Sequence, residues 1–494
     1  MGTRAATVRA GSHRVTDGLL VVDVEVGGER VDVRCADGVV TAVAGGLTPR
    51  RGETVVRGAV AALPGLHDHH LHLMAMAARA GSVDVGADRA TDRQGLERVL
   101  AGADAVLPEE DWLRAVGYHE RIHGRLDRWD LDRVVPDRPV RVQHRSGHLW
   151  VLNSAACRAV GLDPDDAGDA ARRDAAGADG IERDGAGMPT GRLLERDAWL
   201  AGRLPRREPP ELGTVSLRLA SYGVTGVTDA TPTRSVADLE VLAAARRSGA
   251  LVQRVRVMGD VGPGVGDLPV GLELGPVKLM VADGLLPDVD GLAGRIDGAH
   301  RSGRPVALHC VSLVATVVAL AAWDAAGSRP GDRVEHGAVL PPDVVERLAA
   351  LGVTVVTQPA FVLDRGDEYL DEVEGDERAH LYPCAGLDRA GVGLGAGTDA
   401  PFGPEDPWVA VASAVRRTTR SQRIVGPAER LTPERALRLF LSDPGDPGGP
   451  ARTVAVGAPA DLCLLGDDLR GTLGDPEGRR VVATAVGGRL VHED

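Results

Sequence analysis

The sequence predicts an α/β protein built on a closed (β/α)8 barrel, and three observations carry that expectation. From residue 215 onward, short apolar runs alternate with amphipathic helical stretches such as PPDVVERLAALG, and strands alternating with helices imply parallel βα units. With AALPGL at 61–66 as the first strand, the runs VTGVTDAT, RVRVMGD, PVKLMVADG, PVALHCV, DRVEHGAVL, VTVVTQP and VGLGAGTDA bring the number to eight, which favours a barrel over an open sheet. No Gly-x-Gly-x-x-Gly turn follows any of these strands, so an open doubly wound sheet stays as an alternative without its nucleotide-binding signature.

The flanks have a different texture. LLVVDVEV, VDVRC, VVTAVAGG and ETVVRGAV near the start are β-branched runs broken by Gly, Asp and Arg, and DLCLLG and RRVVATAVGGRLVHED repeat the pattern at the end. They imply a small β-sandwich domain assembled from residues 1–58 and 450–494, around a TIM barrel of residues 59–449. Between barrel strands 1 and 2 lies an insertion of about 80–215, with helical stretches, the strand-like RPVRVQH and a Gly-rich surface loop, LDPDDAGDAARRDAAGADGIERDGAG. Insertions at the C-terminal face of a barrel are where substrate contacts usually sit.

A net charge of −14 argues against a nucleic-acid-binding surface. No window supplies the roughly 20 apolar residues of a membrane span, and MGTRAATVRAGSHR has no signal-peptide core, so a cytoplasmic location is the expectation. Cys35, Cys157, Cys310, Cys384 and Cys463 show no paired short spacing, which suggests neither a disulfide framework nor a cysteine zinc site.

In a barrel the chemistry belongs at the C-terminal ends of strands, and the unusual polar residues fall there. PGLHDHHLHL carries histidines at 67, 69, 70 and 72. Residues two apart on an extended strand share a face, so His-x-His offers two imidazoles to one metal ion. Two registers compete, His67 with His69 or His70 with His72, and Asp68 shares the phase of the second. His309 ends strand 5 and His336 ends strand 6; each alone is as easily a packed core histidine. Asp399 leaves the Gly-rich strand 8, where it suits a metal ligand that also handles a proton; a turn-forming Asp in TDAP is the plain alternative.

Of 57 basic residues only Lys278, in GPVKLMVADG on strand 4, is a lysine. The arginine bias matches the codon usage of a GC-rich genome and explains the missing lysines without a functional cause. A lysine on a buried strand has a depressed pKa. As a neutral amine it can combine with carbon dioxide into a carbamate that bridges two metals, which arginine cannot do. A Schiff-base lysine is the rival chemistry.

Donors after strands 1, 4, 5, 6 and 8 resemble the pattern of the amidohydrolase superfamily. The chain is more closely similar to its amidohydrolase family 3 branch, which includes N-substituted formamide deformylases. The likeness covers nearly the whole chain: PGLHDHHLHL, GYHERIHG, RPVRVQHRSGHLWVLNSAA, GMPTGRLLE, YGVTGVTDAT, PVKLMVADG, RVEHGAVLPPDVVERLAALGVTVVTQPAF, LYPCAGLDRAGVGLGAGTDAPFGPEDPW and GAPADLCLL.

The resemblance implies His70 and His72 as ligands of one metal, Lys278 as a bridging carbamate, His309 and His336 as ligands of a second, and Asp399 as ligand and general base. It selects the His70/His72 register, because the family's Asp-x-His-x-His falls on Asp68, His70 and His72. It implies one or two divalent ions, zinc being the expected metal, with carbon dioxide held on Lys278. The implied reaction is hydrolysis of a non-peptide amide-type C–N bond, in a formamide, N-acyl amine or cyclic amide, by metal-activated water.

His119, His144, His148 and Trp150 of the insertion are candidate substrate contacts, with packing of the insertion as their alternative. His309 is followed by Cys310, Val311 and Ser312, where relatives often have a small residue, Gly and Asp, a departure that bears on the pocket. The expected partner is a small-molecule amide, with no nucleic acid and no membrane; monomer and homo-oligomer both stay open. Two other readings are a Schiff-base lyase or aldolase using Lys278, and a non-catalytic binding protein on the same scaffold.

Overall fold

The computed structural model describes residues 18–162, 180–205, 209–259, 268–284 and 286–494. The N-terminal MGTRAATVRAGSHR and most of the Gly-rich loop after Leu162 lie outside the described residues. The chain divides into two compact units: one of residues up to His72, Ser216–Asp399 and Gly403–Asp494, the other of Leu73–Val215 and Ala400–Phe402.

In the first unit the strands of the alternating region, from Leu66 to Ala396, pair in parallel. One sheet has the order Leu272–Leu274, Arg254–Val257, Val224–Asp229, Leu66–Leu71, and a second runs in chain order through Val277–Met280, Val306–Cys310, Arg333–His336, Thr354–Thr357 and Leu394–Ala396. The two sheets are hydrogen-bonded at both ends. Gly259 N donates to Pro276 O at 3.2 Å, beside the Gly275-Pro276 break between the adjoining strands, and Asp399 N donates to His70 O at 2.7 Å. The second seam needs Gly397, since a Cβ there would lie 2.5 Å from the His70 backbone nitrogen.

The intervening helices start and stop where their sequence directs. Val236–Ser248 opens on a Ser235/Asp238 capping box and ends at left-handed Gly249, and Leu313–Ala326 is capped by Ser312.

The first parallel strand differs from expectation. Ala61–Pro64 pairs antiparallel with Leu462–Leu465 in the terminal β region, and the parallel strand is Leu66–Leu71. The switch comes at Pro64-Gly65: Gly65 N donates to Asp461 O, whereas Leu66 N donates to Gly223 O, and Pro64 has no N–H to continue a ladder. His67, His69 and His70 therefore lie on the strand rather than beyond it, and His72 directly follows it.

Strands from both termini join in one hydrogen-bonded sheet of eight, so the two layers expected there are linked into one. Gly18–Val26 runs through it with an irregularity between Val21 and Val24, and Leu19, Val33, Leu462, Leu464 and Ala483 are among the residues of its core. The second unit holds a six-stranded sheet, ordered Ile181–Arg183, Pro189–Leu194, Leu149–Leu152, Val140–His144, Leu113–Tyr118, Val83–Asp84; of these strands the sequence suggested only the one around RPVRVQH. All five cysteines are buried, and none forms a disulfide among the described residues. No helix among the described residues is long and apolar enough to cross a membrane.

Candidate metal centre

The pleat of Leu66–Leu71 sends its polar residues to two environments. His67 Nε2 lies 2.9 Å from Thr228 Oγ1, and His69 Nε2 lies 3.0 Å from Ser442 Oγ. Burial holds both imidazoles well below their usual pKa, hence neutral. In the opposite phase, Asp68 accepts from Thr398 Oγ1 at 2.6 Å, Thr398 N at 3.1 Å and His70 N at 3.0 Å. Burial raises its carboxyl to about 7 against those hydrogen bonds. Asp68 thus acts as a clamp on the turn that carries Asp399.

His70, His72 and Asp399 each present a donor atom within 4.8 Å of the others'. His70 Nε2 and His72 Nε2 lie 3.5 and 3.2 Å from Asp399 Oδ1, and His336 Nδ1 lies 4.0 Å from Asp399 Oδ2. His336 Nε2 is 3.0 Å from His309 Nδ1, and its Nδ1 is 2.7 Å from Gln358 Oε1. His336 and Asp399 both hold left-handed backbone, with φ of 73° and 55°, a cost that concentrates at functional sites. Asp399 is buried, yet His72, His70 and His336 keep its carboxyl well below the usual range. Burial pulls the His336 imidazole down to about 3, with His70 adding to the effect.

Lys278 lies on Val277–Met280, 3% exposed, and its Nζ has no hydrogen-bond partner among the described residues. Burial lowers its pKa while Glu335 and Asp399 oppose the shift. A buried amine left unpaired costs stability. Conversion to an anionic metal-bridging group would satisfy it, and the neighbouring imidazole and carboxylate donors suit a divalent ion of the zinc type. By donor chemistry, then, these residues fit a metal and a carbamate.

Three participants escaped the sequence reading. Glu335 bonds His70 Nδ1 and accepts from Arg333 Nε at 2.5 Å; burial would raise its carboxyl, but Arg333, His70 and Lys278 hold it far down. Gln358 partners His336, and Thr231 Oγ1 lies 3.3 Å from His72 Nδ1. The available signal for Glu335 was the alternation in RVEH, which puts Arg333 and Glu335 on one face of a buried strand.

The insertion candidates belong to the second unit. His119 and His144 rings stand 5.7 Å apart, and His144 Nδ1 lies 2.8 Å from Ser146 Oγ. His119 is buried, whereas His144 and His148 are partly exposed. Trp150 is engaged in packing: it is buried, donates from Nε1 to Asp197 Oδ1 at 2.8 Å, and has the Arg114 and Arg141 guanidiniums 5.5 and 5.1 Å from its ring.

The model of the amidohydrolase family matches residues 58–492. N-substituted formamide deformylase of Arthrobacter pascens is 26% identical over 96% of this chain and 98% of its own. Putative amidohydrolase YtcJ of Bacillus subtilis strain 168 is 25% identical over 90% and 91%. Among solved structures, an uncharacterized metal-dependent hydrolase of Pyrococcus horikoshii OT3 superposes with a TM-score of 0.71 at 20% identity, covering 91% of this chain and 98% of that one. The chain belongs to the amidohydrolase family, in its family 3 branch, and is a hydrolase acting on carbon–nitrogen bonds with an α/β fold of TIM-barrel type.

Proposed function

We propose that this protein is a metal-dependent hydrolase of a non-peptide amide-type C–N bond, in a formamide, an N-acyl amine or a cyclic amide. The observation that carries the reading is the approach of His70, His72 and Asp399 to within 4.8 Å of one another, in a unit that also buries the Lys278 amine without a hydrogen-bond partner among the described residues. In this reading residues 59–449 close into a (β/α)8 barrel with an insertion of about 80–215, and residues 1–58 and 450–494 form the composite β domain.

His70 and His72 would hold one divalent ion, His309 and His336 a second, with Asp399 as a further ligand and zinc the expected metal. Bound there, the metal supplies Lewis acidity toward the scissile carbonyl and lowers the pKa of water. Lys278, its ammonium form disfavoured by burial, would as a neutral amine take up carbon dioxide with loss of one proton and so supply an anionic carbamate to the same centre. Asp399, ionised at neutral pH in its histidine surroundings, accepts the proton of the attacking water and returns it to the departing amine nitrogen. His119, His144 and His148 are the insertion's candidates for orienting substrate; Trp150 would act through packing.

A metal-replete assay against formamides, N-acyl amines and cyclic amides tests the reading, with Asp399→Asn as control. Activity in the parent and its loss in the variant are expected, and full activity in Asp399→Asn would remove Asp399 from the role of general base. Borohydride trapping of a substrate adduct on Lys278 without a metal requirement would favour the lyase alternative instead.

A further inference from the structure

We propose that Thr231, Asp229 and Arg234 form a positioning chain that holds the His72 ring through its Nδ1, with its Nε2 turned toward Asp399. The inference rests on the metal-dependent reading and gives a role to the VTDAT stretch, which that reading leaves unused.

The direction of each hydrogen bond follows from the donors present. Thr231 Oγ1 donates to Asp229 Oδ1 at 2.7 Å, and Thr231 N donates to the same oxygen at 3.0 Å. With its hydrogen committed to a carboxylate, the hydroxyl has only lone pairs for His72 Nδ1, 3.3 Å away. His72 must therefore be the donor. Its Nε2 is turned to Asp399 Oδ1, 3.2 Å away, and is the nitrogen that can give up its proton to ligate a metal. Asp229, fully buried, is kept in place by the buried Arg234 guanidinium.

The backbone holds this chain rigidly beside the ring. Ala230 N donates to Leu71 O at 2.8 Å and Met258 N to Asp229 O at 2.9 Å. Gly259, at φ 95°, lets the turn close down, since a Cβ there would stand 2.6 Å from both Thr231 O and Pro232 O. The need for such a grip differs between the two neighbouring histidines. His70 is enclosed, 1% exposed at its side chain, and meets Glu335 directly. The His72 side chain is 16% exposed, with less packing to orient it. Each is thus held at Nδ1 through an acid tied to an arginine, directly for His70 and through a hydroxyl for His72. Such outer partners fix the tautomer and orientation of a ligating imidazole.

Two measurements test the chain. Zinc affinity, read by competition with a fluorescent chelator, is expected to fall roughly 10- to 100-fold in Thr231→Val and to recover in Thr231→Ser, with thermal unfolding as the check on folding. Histidine-labelled, zinc-loaded parent, with His72→Asn to assign the resonances, is expected to show the His72 proton on Nδ1 in long-range ¹H–¹⁵N spectra. A folded Thr231→Val that binds zinc like the parent would overturn the proposal, and so would a His72 proton on Nε2 in the zinc-loaded parent, a result that needs no variant to fold. A parent that binds no zinc at all, whatever its tautomer, would instead overturn the metal-dependent reading.

Discussion

Two histidine pairs, each with members two residues apart, occupy six positions of the chain and face opposite ways. His67 and His69 meet Thr228 and Ser442, single hydroxyls in a packed layer. His70 and His72 meet Asp399 at Nε2, and at Nδ1 they meet Glu335 and Thr231, whose hydroxyl is itself bonded to Asp229. The residue type is the same and the burial is similar for three of the four. What separates a scaffold histidine from a donor histidine is whether both ring nitrogens face groups that define their roles.

The largest effect expected from breaking this contrast is at Asp399, which the inner pair faces. Asp399→Asn should cost about 10²- to 10⁴-fold in kcat in the metal-replete amide assay, with the fold retained. Lys278→Arg should keep the fold and lose metal together with activity, as read by elemental analysis and turnover; an unaffected enzyme would make the lone lysine an accident of composition. Glu335→Gln, which removes the charged partner of His70, should weaken zinc binding roughly 10- to 100-fold in a chelator titration. The outer pair should behave otherwise: His67→Asn should lower stability by about 1–3 kcal/mol in denaturant unfolding and leave zinc affinity unchanged. Thr228→Val, which removes only the hydroxyl facing His67, should cost about 1 kcal/mol by the same measurement.

Much of this contrast was legible in PGLHDHHLHL, because period-two alternation sorts its histidines into two sets before any coordinates exist. Deciding which set faces the donors needed the family's Asp-x-His-x-His register. The βα alternation after residue 215 was legible for the same reason, since each run is short, apolar and bounded by turn residues. The strand boundary at Pro64-Gly65 was not, because AALPGL reads as one strand and only the partners Leu462–Leu465 and Val224–Asp229 divide it.

Glu335 escaped notice because its partner His70 is 265 residues away, and nothing local distinguishes a buried acid from a solvated one. The sheet of the insertion escaped for a different reason: its strands are only two to six residues long, too short for most of them to show a period.

The most direct test of the account sets the two faces of one strand against each other. Equilibrium zinc binding to the metal-free protein should be retained in His69→Asn and abolished in His70→Asn, with both variants folded by circular dichroism. Loss of zinc in His69→Asn with parent-like binding in His70→Asn would contradict it.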